Sequence, residues 1–170
     1  MKNSHLLLVP ILACAIFSCK KDELANAKSQ YAKFIIGNWK SNQQNIKVYD
    51  LATNHLLKDS TVNFTGIFAG RSWYEIYSED GNAYVTSLPT IKFGAKVATI
   101  DTTSYLHYTI FGTNLNLKQN IGGNTIKPIL TLTISDMGLQ NTYVGTLNSG
   151  WGLEVNTNYK IVEADYYTRQ

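Results

Sequence analysis

From Ile46 to Tyr167 the sequence repeats one local pattern, short runs of alternating side-chain character broken by turn-forming residues. Ile46–Tyr49, Trp73–Tyr77, Ala83–Thr86, Tyr105–Phe111, Leu115–Lys118, Ile129–Ile134, Thr142–Leu147 and Tyr159–Tyr167 each alternate with period 2. That is the geometry of a strand with one face buried. Asp80-Gly81-Asn82, Phe111-Gly112-Thr113-Asn114, Gly122-Gly123-Asn124 and Asn148-Ser149-Gly150 punctuate the series as turns. From Gly37 onward there are only six Ala and four Glu, while Thr, Tyr, Val, Ile and Asn dominate. Helices longer than two turns do not arise from such a composition. Eight short strands joined by tight turns form an antiparallel meander, whose edges must close or be covered. The expected fold is therefore all-β: an antiparallel up-and-down eight-stranded β-barrel over residues 35–170, preceded by a short N-terminal helix. A β-sandwich is the alternative. Between Thr86 and Ser104 the pattern lapses, leaving either an irregular strand around Ile91-Lys92-Phe93 or a loop over an opening.

The N-terminus reads as an export signal. Lys2 precedes the apolar run Leu6–Phe17, which contains Pro10 and is too short for a helix crossing a bilayer, where about 20 apolar residues are needed. Residues 1–18 are read as the signal, and 19–34 as a tether or short helix. Asp22–Lys33 is helix-friendly, with Leu24, Ala27 and Tyr31 forming a thin apolar stripe. Without Lys2, 14 of the 15 Lys+Arg face 12 Asp+Glu, a net of +2. That field is too weak for a nucleic-acid partner. The two cysteines, Cys14 and Cys19, both lie at the N-terminus, so no disulfide staples the domain and its core must supply the stability.

Ile16-Phe17-Ser18-Cys19 resembles a bacterial lipoprotein processing box, in which the cysteine becomes the acylated N-terminus. Ile11-Leu12-Ala13-Cys14 is the rival box. It would leave Ala15-Ile16-Phe17 as an apolar stub, whereas Lys20-Lys21-Asp22-Glu23 begins directly after Cys19. Cys19 is accordingly the expected lipidation site. Cys followed by this charged cluster is similar to lipoproteins of the Bacteroidota, and the resemblance implies display on the outer face of the outer membrane. Two or more acyl chains anchor stably, at about 0.8 kcal/mol per buried methylene.

Ile35-Ile36-Gly37-Asn38-Trp39-Lys40 places a Gly-x-Trp between helix and first strand. At that junction it resembles the signature of lipocalins and the wider calycin superfamily. Trp73–Val85 and Tyr108–Leu117 look like bacterial lipocalin-like domains. The resemblance implies that Gly37 turns the chain into the barrel, that Trp39 plugs its closed end, and that a late basic side chain lies across the indole. Arg169 is the only late Arg and Lys160 the alternative. The family's second motif, Thr-Asp-Tyr, is missing from mid-chain; Ala164-Asp165-Tyr166 comes nearest but late.

No catalytic pattern accompanies the fold. Beyond the signal, His55 and His107 stand in unrelated segments, with no nucleophile elbow, phosphate-binding loop or metal-ligand spacing. Glu163 and Asp165 share a strand face, and acids so placed are more often solvated than a glycosidase pair. The chain is read as a monomeric binding protein rather than an enzyme, with no metal and no cofactor. Eleven Tyr and three Trp are a surplus for so small a core. If the acid-free face of each strand points inward, Tyr74, Tyr108 and Tyr166 line a pocket for a small apolar or amphipathic ligand. Core tyrosines hydrogen-bonded at a rim explain the same pattern equally well. In a second reading the barrel is filled, and loops at Ser87–Thr103 and Asn120–Lys127 hold a protein or polysaccharide.

Overall fold

The computed structural model describes residues 30–86, 102–119 and 123–170, without the side chains at 67, 68 and 102–105. The signal at 1–18, Cys14, Cys19, the tether up to residue 29 and the stretch around Ile91–Phe93 lie outside the described residues. Residues 30–34 are helical, and nine strands follow among the described residues. They are β1 (Gly37–Asp50), β2 (Leu56–Asn63), β3 (Tyr74–Tyr77), β4 (Asn82–Thr86), β5 (Thr102–Phe111), β6 (Asn114–Gln119), β7 (Asn124–Leu132), β8 (Asp136–Thr146) and β9 (Asn158–Arg169).

Every pairing is antiparallel, and β1 pairs with β9 along almost its whole length, from Trp39↔Arg169 to Asp50↔Tyr159. That pairing closes β1 and β3–β9 into an eight-stranded lipocalin-like barrel, with no sandwich break between layers. Each of the eight alternating segments maps onto one of these eight strands, with Trp73, Thr133, Ile134 and Leu147 lying just beyond the strand ends. The extra strand is β2, which pairs only with the second half of β1, from Gln43↔Asn63 to Tyr49↔Leu56. Its sequence, Leu56-Leu57-Lys58-Asp59-Ser60-Thr61-Val62-Asn63, lacks apolar alternation because it hangs beside the ring and buries neither face.

At one end the short helix, the β3–β4 hairpin and the β5–β6 and β7–β8 turns gather round Trp39; this is the closed end. The β1–β2 turn and the β8–β9 connection lie at the opposite end, the mouth. A cluster of Ile35, Trp39, Tyr77, Ala83, Leu106, Leu115, Leu117, Ile129, Leu132, Met137, Leu139 and Tyr167 fills the closed half.

The β7–β8 ladder is short. Its register stops at Ile129↔Leu139, although both strands continue toward the mouth. Ile129 donates its N–H to Thr113 O on the β6 side, so strand alternation turns position 128 toward β8. That position is Pro128, which has no N–H to give, and the ladder ends there.

Candidate functional site

The lumen is organised in layers from the closed end to the mouth. Gly37 makes the first layer possible, since its φ of 143° is rarely open to a side-chain-bearing residue. The turn it makes brings Trp39 under the helix, fully buried, with its indole N–H donating to Ile35 O at 2.6 Å. Arg169 covers the indole, its guanidinium carbon 4.8 Å from the ring centroid, and donates to the carbonyls of Phe34 and Ile36. Lys160 lies instead over Tyr49. An Arg stacked on Trp and hydrogen-bonded to two carbonyls caps the helix end and pins β9 to the N-terminal segment.

The second layer is polar and enclosed. Glu75 is 2% exposed on β3, and Lys127 on β7 reaches it across the lumen at 3.2 Å. Tyr167 donates to the same carboxylate oxygen at 2.7 Å, and Tyr77 donates to the other. Tyr167 in turn accepts from the Trp73 indole at 3.3 Å. Burial alone would push the Glu75 carboxyl up. The Lys127 ammonium outweighs it, together with the two hydroxyls, and holds the group below its ordinary value. Burial likewise works against the Lys127 charge, but Glu75 and then Asp165 keep its pKa above the usual lysine range. Burial and Glu75 raise Tyr77 and Tyr167 well above the usual phenol, so both stay protonated as donors. An ion pair with its acceptors filled on every side is a satisfied network.

The third layer faces the mouth and is less settled. Asp165 is 7% exposed and accepts a hydrogen bond from Gln44 at 2.9 Å. Burial pushes its carboxyl up to about 6, against the opposing pull of Gln44 and Lys127. Two residues along the same face, Glu163 accepts from the Tyr143 hydroxyl at 2.8 Å. Burial and this bond push the phenol up to about 12, so it too remains a donor. Asn141 sits opposite Glu163 in register and completes a polar belt.

Above the belt, the β8–β9 connection folds back over the concave face. Leu147, Trp151 and Leu153 pack on Val48, Tyr159 and Ile161. Lys58 of β2 ties the strap down through Trp151 O at 3.1 Å.

The expectation about strand faces holds on one strand and fails on two. On β5, Leu106, Tyr108 and Ile110 point inward as the alternation suggests, Tyr108 meeting Tyr77 edge to face at 5.1 Å. Its hydroxyl donates to Ser78 O, which places it at the closed end, away from the belt. On β3 the register sets Glu75 opposite Trp39, so Glu75 and Tyr77 point in while Tyr74 and Ile76 take the other face. On β9, Asp165 pairs with Leu139 and Tyr167 with Met137, so Tyr166 lies on the outer wall. There Tyr166 rests against Gly138, where an added Cβ would sit 3.2 Å from the ring. Tyr74, Tyr108 and Tyr166 are thus not brought together. The acid-bearing faces point inward because the lysine and tyrosine donors that satisfy them stand across the lumen, out of sight of any single segment.

Concavities among the described residues include one at the closed end and one on the β1–β2 side. The first, of about 720 Å³, runs past Ile36–Asn38, Ser78–Asp80 and Arg169, and Tyr77 and Tyr84 also line it. The second, of about 510 Å³, is bordered by Asn42, Gln43, Asn63, Thr65 and Tyr166. Among the described residues no three His, Cys, Asp or Glu side chains gather as metal ligands, and no helix is long and apolar enough to cross a membrane. Comparison with known proteins returned no matching family model and no matching curated protein.

Proposed function

We propose that this protein is an outer-membrane lipoprotein, acylated at Cys19, whose lipocalin-like barrel binds a small apolar or amphipathic molecule in the mouth half of the lumen. One observation carries the reading: the closed half of the lumen is filled by the core cluster and the Glu75–Lys127 network, whereas toward the mouth the Asp165 and Glu163 carboxyls stand side by side on one face, held by Gln44 and Tyr143. A few oriented polar groups beside an apolar surface are the usual makings of a ligand site. Asp165 supports the same view, since a carboxyl buried with one hydrogen-bond donor lowers stability and such groups concentrate at functional positions. Apolar contact comes from Ile46 and the strap residues Trp151 and Leu153, which must shift or pack against the guest. The role assigned is capture rather than catalysis, with no cofactor and no metal.

The strap also favours a second reading. If Trp151 and Leu153 occupy the mouth permanently, the barrel is a filled scaffold that displays its loops to a protein or polysaccharide.

Native mass spectrometry and thermal shift with fatty acids, sterol-like compounds, tetrapyrroles and glycans separate the two. A ligand at 100 times its Kd stabilises by about 2.7 kcal/mol. Binding should survive in the chain carrying Tyr166→Phe on the outer wall and weaken with Asp165→Asn or Trp151→Ala. No shift with any compound class, together with slow solvent exchange at the belt, would move the assignment to the filled scaffold. Palmitate labelling that persists in Cys19→Ala would shift the anchor to Cys14.

A further inference from the structure

We propose that the closed end of the barrel seats on the membrane, with Phe111 and Ile134 inserted among the headgroups of a zwitterionic lipid surface. The proposal rests on the anchor at Cys19. Phe111 and Ile134 are 73% and 69% exposed, the two highest values among the large apolar side chains described. They occupy separate turns, β5–β6 and β7–β8, and both turns lie at the closed end. Apolar side chains at hairpin tips, backed by a rigid sheet, are shaped to enter an interface without unfolding anything.

The path of the chain selects this end. The helix at 30–34 is held against Trp39 by Arg169, through the carbonyls of Phe34 and Ile36, so the N-terminal segment leaves from the closed end. From Cys19 to Gln30 is eleven residues, a fully extended reach of about 40 Å. The longest strand, β1, has 14 residues, which at an ordinary barrel tilt makes a wall about 35 Å high. Seating the mouth on the membrane would stretch the tether along the whole wall, whereas seating the closed end leaves it slack. Charge then selects the lipid. Glu79, Asp80 and Asp136 are exposed at this end beside Lys33 and the half-buried Arg169, a balance that an anionic surface repels and a net-neutral zwitterionic one does not.

Once Cys19 is acylated the chain carries no other thiol after the signal, so single cysteines report position cleanly. The lipidated protein, bearing an environment-sensitive fluorophore at Phe111→Cys, Ile134→Cys or Val155→Cys, is reconstituted in phosphatidylethanolamine–phosphatidylcholine vesicles with brominated acyl chains. The labels at 111 and 134 should shift to the blue and be quenched, and the label at the mouth position 155 should not. In the unlabelled Cys19→Ala protein, freed of its signal, vesicle partitioning should fall about tenfold for each of Phe111→Ser and Ile134→Ser. It should fall further when phosphatidylglycerol replaces phosphatidylethanolamine. A protein that floats with vesicles while 111 and 134 stay unquenched, or with 155 quenched in their place, overturns the seating alone. A wild-type protein that does not float overturns the anchor beneath it.

Discussion

Replacing Asp165 with Asn should stabilise the protein near neutral pH and do nothing in acid. The carboxyl is raised from 3.8 to about 6 because burial disfavours its charge, so the folded state binds more protons than the unfolded between those values. Stability therefore falls as pH rises through that window. At 1.36 kcal/mol per unit, the penalty reaches about 3 kcal/mol above pH 6 and vanishes below pH 4. Asn keeps an oxygen for the Gln44 amide and carries no charge, so it removes the penalty and little else. Urea unfolding of wild type and variant at pH 4 and pH 7.5 is the assay. The midpoints should coincide at the lower pH and separate by about 1–2 M at the higher, for an m-value of about 2 kcal/mol/M. A separation equal at both values, or a variant weaker at pH 7.5, would refute the claim that burial dominates the Lys127 attraction at this carboxyl.

The ion pair one layer down should respond in the opposite sense. Lys127→Met leaves the Glu75 carboxylate buried without its cation, a loss of about 3–5 kcal/mol at pH 7.5, and adding Glu75→Gln should restore most of it in a double-mutant cycle. Because Glu75 is held below its ordinary value of 4.5, its contribution in wild type is present above that pH and lost as pH falls through the folded value; the Lys127→Met defect should accordingly shrink on acidification. Where the β7–β8 ladder ends, Pro128→Val returns an N–H facing β8. Amide exchange at 124–128 and 140–144 should slow, with a gain of about 1 kcal/mol from the new bond. Unchanged exchange would mean that something other than proline ends the ladder.

The barrel was legible because its evidence is local. Alternation over Tyr105–Phe111 or Leu115–Lys118 follows from strand geometry, and a glycine before Trp39 marks the turn into β1 whatever the chain does later. The hidden strand β2 shows the converse. It answers to one neighbour, β1, and its sequence carries no signature of burial because it has none.

The site was illegible for a related reason. On β9 both parities are largely apolar: Val162, Ala164 and Tyr166 on one face, Ile161 and Tyr167 on the other with Glu163 and Asp165. Taken alone, the carboxylates decide which face meets water. Taken together with Lys127, Tyr77 and Gln44, on three other strands, they decide which face meets the lumen. Alternation within a segment thus fixed the number of ring strands, whereas the β8–β9 link, which the sequence marks only by Asn148-Ser149-Gly150, became a long strap running from Thr146 to Asn158. Which side of each strand became the interior was decided only by closure, when β1 met β9 and brought donors to acids up to 121 residues away in sequence. The physical reason is that a buried charge is tolerable only beside its partner, and only the closed ring places the partners together.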